Sequence, residues 1–280
     1  MNAAATGWLV RGAARPHDVT PSFFALYAEA RGGQGRLARL AGRDAIIVVP
    51  GLFTERYPFY LRRPAARLRS LGLEVRWAPI DTDMTAGHNA RTVRDAIRAV
   101  AREGRRAIIV GHSKGPNDAA AALALYPELA PSVRALVSLQ APYAGTPLAE
   151  EAHRSRFWRT AVGTVVGGLF RGSARAFWEL RYGERREFIH AHPLPPVRML
   201  SLVTTTARAG PVLERTRRLI AERHGSPSDG FVPPVDAYIP GSRLVHLNGV
   251  DHGGLALPLC KSLFEPGRAV EALVAAALME

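Results

Sequence analysis

The chain has 280 residues, 47% of them hydrophobic, and a formal charge of +13 at neutral pH, which allows one large core and puts a polyanion among the partners to be weighed. Nearly all the positive charge is arginine, scattered singly or in pairs without interleaved aromatics, and lysine occurs only at Lys114 and Lys261, a pattern that argues against nucleic acid as a partner. The single cysteine, Cys260, excludes an intramolecular disulfide framework and fits a reducing compartment.

In chain order, residues 1–43 read as an N-terminal extension carrying a helix. No lysine or arginine precedes Arg11, and Ala3 to Val10 is too short and broken for the hydrophobic region of an export signal, so cytoplasmic placement is the expectation. Ala45 to Val49 is a β-branched strand ending in Pro50-Gly51. An amphipathic helix over Pro64 to Leu71 and an extended segment over Leu73 to Ala78 complete one βαβ unit. A helix over Arg91 to Arg102 leads to the apolar strand Ile108 to Val110, the alanine- and leucine-rich helix Asn117 to Tyr126 and the strand Ala135 to Leu139.

From 146 to 197 no strand is evident, and large apolar residues alternate with arginines. The segment reads as a helical cap inserted between two strands or, on the same periodicity, as an ordinary amphipathic helix pair packed on the core. Its longest near-apolar stretch, Ala161 to Phe170, is far too short to span a bilayer, so no integral membrane association is expected. A strand over Met199 to Thr204, a helix over Val212 to Arg223, a strand over Leu244 to Leu247 and a helix over Pro266 to Leu278 close the pattern. Such alternation predicts an α/β fold in a single domain, with a mostly parallel sheet and helices on both faces.

The chemistry is concentrated at Gly111-His112-Ser113-Lys114-Gly115, where the Ile108 strand stops and a helix begins. Glycine two residues either side of Ser113 removes the Cβ atoms that would collide in a sharp strand-to-helix turn, leaving the serine Oγ exposed above the sheet as a nucleophile. A serine hydroxyl needs a histidine as base and a carboxylate to fix that histidine's tautomer. His252 lies in the loop just after the Leu244 strand and is the candidate base. Asp229, in the Gly/Pro-rich segment Ser226 to Pro233, is the candidate acid on position, with Asp236 as runner-up; Asp251 adjoins His252 and would point away from it. The backbone N–H groups of Leu52 and Lys114 are the candidate oxyanion hole, and Lys114 is spaced to pair with Asp118 one helical turn on. Phe53, Tyr143, Phe157, Trp158 and Phe231 are candidate substrate contacts. His190 and His192 stand without carboxylates or cysteine at ligand spacing, so no metal and no cofactor are expected.

The blocks Val49 to Phe53, Gly111 to Gly115, Ser138 to Pro147 and Ser228 to Val232 resemble those of lipase-like α/β-hydrolases, over about Asp44 to Pro258. The resemblance is greatest to intracellular members of plants and bacteria that carry the His-Ser-Lys-Gly elbow, a tract like Asp236 to Ser242 and a cap segment like Leu180 to Phe188. It implies an α/β-hydrolase fold and carboxylic-ester hydrolysis through Ser113, Asp229 and His252. Bacterial lipases place a histidine before the oxyanion-loop glycine, where this chain has Pro50. They also carry a calcium-holding aspartate after the catalytic histidine, where this chain has Gly253 and Gly254.

The expected activity is therefore a serine esterase acting on a small ester with a hydrophobic acyl or alcohol group. An acyltransferase or thioesterase would use the same three residues. A scaffold of this fold that binds without catalysis is the alternative of another class.

Overall fold

The computed structural model describes residues 6–32, 35–52, 54, 59–154, 175–258 and 260–279. Along them run β1 (His17–Asp18), α1 (Thr20–Arg31), β2 (Asp44–Val49), α2 (Arg62–Ser70), β3 (Glu74–Trp77), α3 (Ala86–Arg102), β4 (Arg106–His112), α4 (Gly115–Leu125) and β5 (Val133–Leu139). Then follow α5 (Pro147–Arg154), α6 (Arg175–Trp178), α7 (Tyr182–Ala191), β6 (Met199–Thr205), α8 (Pro211–His224), α9 (Pro234–Ala237), β7 (Arg243–Asn248) and α10 (Pro266–Ala277).

The strands form one seven-stranded sheet in the order β1-β7-β6-β5-β4-β2-β3, and every pairing is parallel. The central strands are apolar throughout because both faces are covered. Ile46, Val48, Ile108, Val110, Val137 and Leu139 face α1, α2 and α10, while Ala45, Ile47, Val49, Ala107, Ile109 and Leu136 face α3 and α4. The run Ala119 to Ala122 in α4 is wholly buried, and its small side chains let α4 lie close to both α3 and the sheet. Among the described residues no helix is long and apolar enough to cross a membrane.

The chain changes direction between β2 and β4. From β2 the chain leaves through α2 on one face to the edge strand β3; from β4 it leaves through α4 on the other face to β5. The loops after β2 and β4 thus diverge between two paired strands, the position at which open α/β sheets bind ligands outside their carboxyl ends. Val49 pairs with Gly111, so Pro50-Gly51 and His112-Ser113 emerge side by side.

Candidate active site

Strand β4 ends at His112 and α4 starts at Gly115, so the chain reverses within Ser113 and Lys114. Ser113 takes φ 57°, a left-handed conformation that a residue with a Cβ adopts only under tertiary constraint. The glycines make that constraint possible. A Cβ on Gly111 would lie 2.7 Å from the Pro116 nitrogen, and one on Gly115 would overlap the Val49 carbonyl oxygen. On the facing loop, a Cβ on Gly51 would come within 2.8 Å of the Ser113 Cβ.

Three loops bring their side chains together at this turn. His252 Nε2 lies 3.0 Å from Ser113 Oγ, and His252 Nδ1 lies 2.9 Å from Asp229 Oδ2. The carboxylate can only accept, so Nδ1 carries the proton and Nε2 is left to accept from the serine hydroxyl. Asp229 is held in turn by the N–H groups of Phe231 and Val232, which donate to Oδ1 at 2.8 Å each. Its own carbonyl accepts from His252 N at 2.9 Å. The Phe231 ring stacks on the His252 imidazole at 4.7 Å between centroids. All three residues are buried, Ser113 and His252 each 8% exposed.

The other two acid candidates stand elsewhere. Asp251 turns its carboxylate to the backbone, accepting from Gly210 N, Lys261 N and Gly253 N. Asp236 accepts from Gly7 N at 2.7 Å and from the Tyr182 hydroxyl at 2.7 Å, tying the N-terminal segment to α7. Burial pushes its carboxyl up to about 7, against the pull of those two donors. A folded-state pKa above the unfolded value favours the native state below about pH 4, and that contribution is lost as pH rises to about 7. Thermal midpoints measured from pH 4 to 8 should therefore decline less steeply in Asp236→Asn than in the parent; parallel curves would refute this.

Two buried groups that the residue pattern did not single out brace the turn. His112 Nε2 is 2.7 Å from the His252 carbonyl oxygen and so must carry the proton; His112 Nδ1 then accepts from the Tyr60 hydroxyl at 2.6 Å, and Tyr60 accepts from Gly51 N at 3.0 Å. Burial, with His252 nearby, holds the His112 imidazole down to about 3, so it is neutral. This chain of hydrogen bonds joins the loop after β2, the Ser113 turn and the backbone of His252. No local signal reveals it, because its members are far apart in sequence.

The Lys114 side chain, 1% exposed, ion-pairs with Asp118, and its Nζ is 3.5 Å from Glu179. Burial pushes the Asp118 carboxyl up to about 6 despite the opposing Lys114 charge. Asn89 donates to Asp118 at 2.9 Å, and Glu179 accepts from Ala86 N at the start of α3. The elbow helix, α3 and the segment before α7 are thereby joined by fully or mostly buried charges.

Of the remaining candidates, Leu52 follows Gly51 on the loop that closely approaches Ser113, and the Lys114 amide is the next one along from Ser113. Tyr143 is buried in the cluster with α3 and α4, its ring 5.6 Å from the Arg185 guanidinium. Phe53, Phe157 and Trp158 lie outside the described residues, as does 155–174 of the cap segment.

No family model and no curated protein sequence matches the chain. Among solved structures it is similar to a metagenomic carboxyl esterase, at 25% identity over 85% of this chain and 76% of that one, with a TM-score of 0.68. A Bacillus licheniformis lipase in its mature form is similar in fold at 19% identity, over 75% of this chain and 85% of that one, with a TM-score of 0.63. The parallel sheet, the helices on both faces and these neighbours make the fold that of the α/β-hydrolase superfamily of esterases and lipases.

Proposed function

We propose that this protein is a serine carboxylic-ester hydrolase that works through an acyl-enzyme. The observation that carries the reading is the unbroken hydrogen-bonded array Ser113 Oγ, His252, Asp229 at the end of β4. The similarity to a carboxyl esterase at 25% identity supports it. In this reading His252 Nε2 takes the Ser113 proton as Oγ attacks the ester carbonyl, and Asp229 stabilises the imidazolium that forms. The amides of Leu52 and Lys114 donate to the oxyanion of the tetrahedral intermediate. His252 then gives the proton to the departing alcohol, and a water, deprotonated by the same imidazole, releases the acid and restores Ser113.

Phe231, stacked on His252, is a substrate contact beside the reacting atoms, and Phe53, Tyr143, Phe157 and Trp158 are the other candidates. The substrate in this reading is a small ester with a hydrophobic acyl or alcohol group. The lone cysteine agrees with action in the cytoplasm.

The test is hydrolysis of p-nitrophenyl esters from acetyl to palmitoyl, with parallel labelling by a fluorophosphonate probe. Turnover and a covalent adduct on Ser113 are expected. Absence of both sinks the reading and leaves a binding scaffold; acyl transfer to an added alcohol or to coenzyme A outrunning hydrolysis makes the protein a transferase.

A further inference from the structure

Gln140 immediately follows β5 and has φ 54°, a left-handed conformation that glycine or asparagine adopts readily and that strains a longer side chain. It is fully buried, where no solvent contact compensates. What the glutamine has that glycine lacks is its amide. Gln140 Nε2 lies 3.2 Å from Asp229 Oδ2, 2.9 Å from the Asp251 carbonyl oxygen and 2.6 Å from Thr204 Oγ1. One amide nitrogen, its two hydrogens shared among these three acceptors, therefore reaches the loop that carries Asp229, the residue before His252 and the end of β6.

The contact with Asp229 is the informative one. Oδ1 of that carboxylate is taken up by two backbone donors, and Oδ2 receives two more, from His252 Nδ1 and from Gln140. The glutamine thus fixes the lone pair that faces the imidazole and, through the Asp251 carbonyl, the backbone that carries that imidazole.

We propose that Gln140 is a positioning residue for the Asp229–His252 pair, retained in a strained conformation because its amide holds acid and base in register. The inference rests on the ester-hydrolase reading above. Gln140 touches no reacting atom, so its loss acts on the chemical step and leaves substrate binding alone. Hydrogen bonds to a charged group are worth enough that removing this one should slow turnover about ten- to a hundredfold.

Two variants separate positioning from packing. Gln140→Asn accepts the left-handed conformation and stays polar but is one methylene too short for Asp229; Gln140→Gly removes both strain and amide. For both, kcat on a p-nitrophenyl ester and the rate of fluorophosphonate labelling should fall together about ten- to a hundredfold, with KM within about twofold and the thermal midpoint of Gln140→Asn unchanged. Activity within about threefold of the parent in a folded Gln140→Asn protein overturns the proposal, and so does loss of activity only in step with the thermal midpoint. If the parent itself fails to label at Ser113, the ester-hydrolase reading falls and takes this one with it; a parent that labels beside an unaffected Gln140→Asn variant sinks this one alone.

Discussion

Ser113→Ala should lower kcat for ester hydrolysis by about four to six orders of magnitude, with little change in the thermal midpoint. The hydroxyl contributes one hydrogen bond, to His252, while the turn that carries it is fixed by the glycines around it and by the Ser113 N–H, which donates to the Leu139 carbonyl oxygen at 2.9 Å. Function and fold therefore separate cleanly at this position. Asp229→Asn should cost about four orders of magnitude, because an amide in place of Oδ2 presents a donor to His252 Nδ1 and favours the wrong tautomer. Steady-state kinetics on a p-nitrophenyl ester, with an active-site titration to exclude contaminating parent enzyme, measures both. Residual activity above about 1% in Ser113→Ala would remove the serine from the mechanism.

Gly115→Ala should be the most destabilising single methyl addition in the core. Its Cβ would overlap the Val49 carbonyl oxygen and lie 2.7 Å from that of Pro50. The Val49 carbonyl has little room to retreat, since Val48 pairs with Trp77 of β3 and Val49 with Gly111 of β4. Relief requires α4 to shift away from the sheet, which disturbs the Ala119–Ala122 packing and the ion pair of Lys114. A loss of at least about 3 kcal/mol is expected, or a fall in thermal midpoint of about 6–12 °C. Gly183→Ala is the matched control. There a Cβ meets nothing within 4 Å and the residue is helical, so a neutral or slightly stabilising result is expected. Equal thermal midpoints for the two variants would show that the turn yields more readily than its geometry implies.

The parts of the fold that were legible in the residue pattern are those where burial is local and periodic. The strand read over Ile108 to Val110 extends to Arg106–His112 because its ends are polar or glycine, and the helix read from Arg91 begins at Ala86, capped by Thr85. The two-residue β1 has no period to detect and exists through its pairing with β7. Asp229 and Asp236 sit in similar Gly/Pro-rich surroundings, so composition ranks them only by position, whereas their hydrogen-bond partners differ completely. The Lys114–Asp118 pair is written in an i,i+4 spacing, but Glu179, which joins it, belongs to a segment brought there by tertiary packing. Gln140 is the extreme case: its sequence context reads as the end of a strand, and both its φ and its three acceptors are set by distant loops.

The commitment of His112 has a further consequence. Two imidazoles lie side by side next to Ser113, their centroids 5.2 Å apart, an arrangement that elsewhere would clasp a zinc or copper ion between two nitrogens. Here one ring nitrogen of His112 is protonated and spent on the His252 carbonyl, and the other has its lone pair filled by the Tyr60 hydroxyl. A transition-metal ion at this turn would therefore have to displace a hydrogen bond at each imidazole nitrogen, the Ser113 hydroxyl occupying His252 Nε2, so that among the described residues the two rings present no free chelating pair.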